Sequence, residues 1–389
     1  MKSALLPALL LLAACSSSSS STTSADGGAS NDGGSTSSSA SAGGDGGSRV
    51  GDGGVPTDCG DSTAQTQKIV TAANAFLATF TSTDAVKFPF TRPAASSAYN
   101  GGSGRLGETY GSAQWSNYPV SDIPRPGIQR GTLTAAQVAA EDTLLQTMLS
   151  ADGYTKVKQI MGADQTLCDQ GQSFSCGTAV YTIGIFGTPS ATDPWMIEFG
   201  GHHLGLNVVI DGSKGTVAPT LTGAQPATYT AADGSAVRVL AAENDKGFAL
   251  LASLDATQSA QAISSSTISD LVLGPGHEGA TLVPEGLKGS AMTAAQRALL
   301  VDLIDQWAGI LSTPYVCSHL ADIEAGLDDT YFLWSGPTTH ADGKNGSSYY
   351  RIQGPRVVIE FSPQGVGGDP TNHVHTVYRD PTNDYGHAW

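Results

Sequence analysis

The sequence predicts an α+β domain over residues 58–389, an antiparallel or mixed sheet with helices packed around it, behind an exported and unstructured leader. Three observations lead there. Capping boxes open several helices. Short apolar runs are punctuated by Gly, Pro, Asp and Asn. The connections between those runs are too short for parallel crossovers, so neighbouring strands pair antiparallel.

The leader comes first. Lys2 is its charge, residues 4–12 its apolar core, and Leu12-Ala13-Ala14-Cys15 its cleavage region. The core is too short to span a bilayer as a helix. Leu12-Ala13-Ala14-Cys15 resembles the bacterial lipoprotein box. That resemblance implies removal of residues 1–14, lipidation of Cys15 and tethering to the membrane of a bacterial cell envelope. Ser16 favours the outer membrane on the same resemblance. Residues 15–57 are almost wholly Ser, Gly, Ala, Thr and Asp. They lack the apolar content to offset chain entropy and are expected to be a disordered linker, with a reach of roughly 35 Å.

Helix starts follow in the domain. Ser62-Thr63-Ala64-Gln65, Thr134-Ala135-Ala136-Gln137 and Thr293-Ala294-Ala295-Gln296 have the capping-box form, and Asp255-Ala256-Thr257-Gln258 is a variant. The first side chain accepts an orphan helix N–H and the glutamine reaches back. Apolar stripes at helical spacing run on from the first three: Ile69, Ala73, Phe76, Leu77; Val138, Leu144, Leu145, Met148; Leu300, Leu303, Ile304, Trp307. Strands are expected at 195–199, 204–210, 331–334, 349–352, 356–361 and 373–378. Ile197-Glu198-Phe199 is echoed by Ile359-Glu360-Phe361, a three-residue match that two similar hairpins or chance explain equally.

Charge and cysteines restrict the function classes. The chain carries 35 acidic against 19 basic residues, a net charge of −16. That lacks the basic density a nucleic-acid partner demands. With Cys15 assigned to the leader, Cys59, Cys168, Cys176 and Cys317 remain. An even count in an exported chain reads as disulfides, Cys168 with Cys176 and hence Cys59 with Cys317. No Cys-x-x-Cys spacing supports a thiolate metal site.

The chemistry concentrates in histidine. Of eight histidines, four form two pairs, His202-His203 and His373-x-His375. On a strand, residues two apart share a face with Cα atoms roughly 7 Å apart, so His373 and His375 suit a common metal ion. His202 and His203 are adjacent and join them only if Gly200-Gly201 bends the chain. A three-histidine set leaves an open position, as catalytic zinc sites do, and copper suits the same ligands. Glu198, Glu360, Asp380 and Asp384 are candidate partners for the second ring nitrogens. The expected activity is a metal-dependent hydrolase of a small molecule, with Glu198 or Glu360 as base and Arg351 or Arg379 holding an oxyanion. A copper- or zinc-dependent oxidoreductase and a non-catalytic lipoprotein that captures metal or a small ligand are the alternatives. In the plainest reading, Glu–Arg pairs lock the sheet and the histidines bond to backbone.

Gly201-His202-His203-Leu204, residues 186–189 and 219–226, Tyr349-Tyr350-Arg351-Ile352 with Ile359-Glu360, and Asn372-His373-Val374-His375 through Arg379-Asp380-Pro381-Thr382-Asn383-Asp384-Tyr385-Gly386 together resemble a bacterial and fungal family catalogued as a domain of unknown function, number 3500. The resemblance covers roughly residues 60–389. It implies one exported domain and groups these motifs without supplying a mechanism.

Overall fold

The computed structural model describes residues 58–93, the backbone of 97–100, and 104–389. The leader, Cys15 and the linker lie outside the described residues. The fold is α+β: seven helices and a mixed sheet of 12 strands, with two smaller sheets beside it. No helix among the described residues is long and apolar enough to cross a membrane.

Eight strands make the body of the sheet. They are β1 (Thr182–Phe186), β2 (Trp195–Gly201), β3 (Leu204–Asp211), β4 (Thr220–Ala224), β5 (Tyr331–Ser335), β6 (Tyr349–Gly354), β7 (Val357–Pro363) and β8 (Val374–Arg379). Their order is β1-β2-β3-β4-β8-β7-β6-β5, antiparallel throughout. The one parallel strand, Lys87–Phe88, lies at an edge against β1. The helices are α1 (Ser62–Leu77), α2 (Ala135–Met148), α3 (Ala151–Asp169), α4 (Ala241–Ala252), α5 (Ala256–Ala262), α6 (Ala294–Ala308) and α7 (Thr313–Ala325). Thr134, Asp255 and Thr293 close the expected capping boxes. At the start of α1 the cap is Asp61, one residue before the expected Ser62. Helices α3, α4 and α7 were not expected. Both disulfides form, Cys59–Cys317 and Cys168–Cys176.

The domain is a duplicated unit. Each half runs through a two-residue strand, a 3-10 turn, two helices, a second 3-10 turn, a strand, a hairpin and a last strand, the first half adding the short strand Lys214–Thr216 before its last one. The first half uses α2, α3 and β1–β4; the second uses α6, α7 and β5–β8. Equivalent bonds recur. Arg130 N–H donates to Tyr181 O and Gly289 N–H to Thr330 O, both at 2.7 Å. The capping glutamines Gln137 and Gln296 reach the ends of α1 and α4, at Thr79 O and Ser253 O. Where the halves meet, the bonds are reciprocal: Ser150 N–H to Ile310 O and Ser312 N–H to Met148 O, both 3.0 Å. In the sheet, β4 pairs with β8 with Thr222 opposite Thr376, their hydroxyl oxygens 2.6 Å apart. A pseudo-two-fold axis therefore passes between β4 and β8. The Ile-Glu-Phe echo is not part of this repeat. Glu198 lies on the first strand of its hairpin and Glu360 on the second strand of its own.

Alternation along each strand sorts the two faces of the sheet. Trp195, Ile197 and Phe199 of β2 and Val374 and Tyr378 of β8 join the core shared with the helices, where Trp307 of α6 donates to Thr376. Met196, Glu198, His373, His375 and Arg379 therefore face away from the helices. Residues 104–126, the 264–286 segment and the C-terminal turn cover that second face, clamped there by Arg379. Its guanidinium meets Glu108 at 2.5 Å and Asp384 at 2.9 Å, and donates to Leu273 O and Gly274 O.

Candidate metal centre

The site forms where the β2–β3 hairpin loop leans across β4 onto the start of β8. Gly200 and Gly201 do not bend, contrary to expectation. They continue β2, paired with Gly205 and Leu204. His202 and His203 are themselves the two-residue loop, and His203 takes the left-handed conformation with φ 63°. A non-glycine residue there carries strain of roughly 1–3 kcal/mol, which marks a constrained position. Tyr181 holds the loop by donating to His202 O at 2.8 Å. Its ring lies where a Cβ on Gly201 would fall, 2.9 Å away.

The loop then has to cross β4. Gly223 is the residue of β4 opposite His375, and a Cβ on it would stand 3.4 Å from His203 Cβ and 2.7 Å from Val374 O. Its bare backbone leaves the slot through which the His203 ring reaches β8. The two histidine motifs are thus joined edge to edge in one sheet with a single strand between them, rather than as two hairpins facing each other.

Three imidazoles converge. His203 Nε2 and His375 Nε2 each lie 3.1 Å from His373 Nε2, and these three residues form the one group of metal-ligating type found among the described residues. Tetrahedral ligands at the usual zinc–nitrogen distance of about 2.0–2.1 Å stand about 3.3 Å apart. Those two spacings are within a few tenths of an ångström of that. Gln364 and Val366 contact His373 and Asn117 contacts His375, and the three histidines are 2–7 % exposed.

The second nitrogens fix the chemistry of the first. His373 Nδ1 donates to Val366 O at 2.8 Å, so its Nε2 presents a lone pair to the other two rings. His375 Nδ1 lies 3.3 Å from the Asn117 side-chain amide, which can turn either end toward it. His203 Nδ1 is buried without a hydrogen-bond partner. Burial pulls all three rings below the usual histidine value, His203 and His375 well below, with the neighbouring histidines adding to it. At His373 the bond to Val366 and the charge of Asp270 oppose that pull. Neutral imidazoles are what a metal requires.

His202 is not one of the three. Its Nδ1 pairs with Asp164 Oδ1 at 2.7 Å, and its ring stacks on that of His203 with centroids 3.7 Å apart. Asp164 also accepts the Gly177 N–H at 2.8 Å, just beyond the Cys168–Cys176 bridge. The disulfide thus secures the loop that positions Asp164, which positions His202, which backs His203.

The expected acid–base residues are held for other work. Glu360 accepts the N–H groups of Val272 and Leu273 and the Tyr349 hydroxyl. Arg379 is saturated in the clamp described above. Arg351 faces Glu360 across the strand pair and reaches Glu285 at 3.5 Å. Glu198 accepts the Gln114 N–H at 3.0 Å while its other oxygen is buried and unpartnered. Burial drives its carboxyl well above the usual range, against the pull of Arg125. Asp380 pairs with Arg356 and Asp384 with Arg379, both remote from the ring nitrogens.

Sequence reasoning missed Asp270. Its carboxylate accepts from Gln364 Nε2 at 3.1 Å, and the Gln364 backbone donates to His373 O at 2.8 Å. Glu360 and Arg379 bind the backbone at 272–274 and so set where Asp270 stands. No motif signals it. Asp164 did leave a signal: it is an acid within the apolar stripe Val157, Ile160, Met161, Leu167 of α3.

No curated protein and no solved structure matches the chain. A family model described as Protein of unknown function (DUF3500) matches residues 62–387, nearly the whole described domain, and the chain therefore belongs to that family.

Proposed function

We propose that the chain is a metal-dependent hydrolase whose ligands are His203, His373 and His375. The observation that carries this reading is the convergence of three ring nitrogens, those of His203 and His375 each 3.1 Å from that of His373. A divalent zinc or copper ion held by these three residues would supply Lewis-acid activation. The chain's own residues do the rest. Val366 O fixes the tautomer of His373, Asp164 holds His202 against the face of His203, and Asp270, linked to His373 through Gln364, takes the part of general base in place of Glu198 and Glu360. Arg351 and Arg379 are engaged elsewhere, so neither is assigned to an oxyanion. Two disulfides support an exported protein, and the Leu12-Ala13-Ala14-Cys15 box supports anchoring to the cell envelope through a lipid on Cys15.

The test is metal content together with turnover. Protein loaded with zinc or copper is assayed against activated carboxylic and phosphoric esters. Asp270→Asn should keep the metal and lose about 10²–10⁴ in kcat, the usual weight of a general base. Dioxygen consumption by the copper form without ester hydrolysis would assign an oxidoreductase. Bound metal with neither activity would assign a metal-capturing protein.

A further inference from the structure

A cleft of about 610 Å³ opens at the other end of the β4–β8 pair from the histidines, where α7, residues 213–217 and the C-terminal turn meet. Its size is that of a small-molecule site. None of the metal-site histidines borders it.

One side of the cleft is apolar and aromatic, built from Val217, Tyr315, Val316 and the C-terminal Trp389. The polar groups divide into those already engaged and those available. His319 is bonded to the Tyr378 hydroxyl, with Asp380 3.7 Å from its other nitrogen. Arg356 is bound by Asp380 at 2.9 Å and by Asp322 at 3.1 Å. Lys214 and Asn383 are different. Asn383 Oδ1 accepts the Ala388 N–H, while its amide N–H groups make no hydrogen bond among the described residues. Lys156, Lys158, Lys246, Lys288 and Lys344 are in ion pairs, whereas Lys68, Lys87 and Lys214 make none among the described residues. Of those three, Lys214 borders the cleft, 5.9 Å from the centroid of the Trp389 ring. A cation left without a carboxylate, in a chain with almost two acidic residues for each basic one, faces a cavity with an aromatic wall.

We propose that this cleft binds an amphipathic organic monoanion, its apolar body against Tyr315, Val217 and Trp389 and its carboxylate-type head on Lys214 and Asn383. A charged head on a donor pair and a slot for the body are the two terms such a ligand needs. The charge-assisted contact supplies orientation, and the apolar burial supplies most of the affinity. The site is independent of the metal reading, since it shares no residue with the histidine centre.

Calorimetric titration of the intact protein with decanoate, and with decanol as its neutral counterpart, tests the idea. Decanoate should bind at one site and more tightly than decanol. Lys214→Glu should weaken decanoate by roughly tenfold or more, the loss of one charge-assisted bond, and leave decanol unchanged. Ser318→Trp and Ala321→Trp, each at an exposed cleft-lining position on α7, should abolish binding of both by filling the space. The His373→Ala, His375→Ala double variant should bind decanoate like the wild type. The proposal fails if decanoate does not bind saturably, if both tryptophan variants bind it like the wild type, or if decanoate and decanol bind with equal strength.

Discussion

Stripping and restoring metal gives the most direct prediction. If His203, His373 and His375 are ligands, the folded state binds the ion and the unfolded chain binds it far less. At a free concentration of about 100 times Kd the native state then gains about 2.7 kcal/mol. Unfolding entropy is about 2.1 cal/mol/K per residue, so for roughly 330 ordered residues it is near 0.7 kcal/mol/K, and the gain corresponds to a rise in Tm of about 4 °C. The ligand atoms need little rearrangement, because their 3.1 Å spacing is close to the tetrahedral value of about 3.3 Å.

The assay is differential scanning calorimetry of chelator-treated protein with zinc or copper added back, alongside elemental analysis. Each variant is compared with itself, with and without metal, so the cavity left by a truncated histidine cancels. His203→Ala, His373→Ala and His375→Ala should each lose the increment. His202→Ala should keep most of it, because Asp164 holds that ring away from the shared point. An equal increment in the wild type and the His373→Ala, His375→Ala double variant would refute the ligand assignment. So would full retention of metal by His203→Ala.

Three further outcomes follow from the same geometry. Arg379→Ala strands the buried Glu108 and Asp384 carboxylates and should cost about 3–5 kcal/mol in denaturant unfolding; lost turnover at unchanged stability would instead return Arg379 to the chemistry. Glu198 has a folded-state pKa raised by burial, so the stability it contributes is full below its unfolded pKa and is lost as pH rises through the folded one. Wild-type stability should therefore fall relative to Glu198→Gln as pH is raised from the acid side toward neutrality, and parallel stability curves for the two proteins would contradict that. Replacing both Cys59 and Cys317 by Ala opens a crosslink spanning 258 residues in sequence. On the chain-entropy account it should cost up to about 5 kcal/mol, against which an unchanged unfolding midpoint would count.

Much of the architecture was legible because it rests on local rules. Capping boxes placed α2, α5 and α6, and the apolar runs at 195–199, 204–210, 331–334, 349–352, 356–361 and 373–378 all became strands. The helices that escaped lacked those signals. In α3 the stripe is interrupted by glycines, and α4 begins after Leu240 in a left-handed conformation with no side-chain cap. At the site, the i, i+2 spacing of His373 and His375 was readable because a strand aims alternate residues alike. The selection of His203 over His202 was not, since it depends on which residue of a tight loop takes φ 63° and on the bare backbone of Gly223 one strand away. Glu360 and Arg379 looked catalytic for a sound reason, buried charge, but their charges are neutralised by loop backbone and by each other's neighbours. Their contribution is to place Asp270, and no sequence spacing connects residues 270 and 373.

The duplication explains why the centre is single. The pseudo-two-fold axis carries the His202-His203 loop onto Pro355-Arg356, and His373 and His375 onto Pro219 and Leu221. None of those four can ligate a metal as histidine does: Arg356 is consumed by Asp322 and Asp380 and Leu221 is fully buried. The centre nevertheless draws on both halves, a loop from the first and a strand from the second, meeting across the β4–β8 seam. Neither half alone holds a complete ligand set, so the seam is where fold and chemistry depend on each other. The Thr222–Thr376 contact, the Gly223 slot and the register that sets Gly223 opposite His375 therefore hold the three imidazoles together. A one-residue slip of β8 against β4 would turn His373 and His375 into the helical core and Val374 into the site.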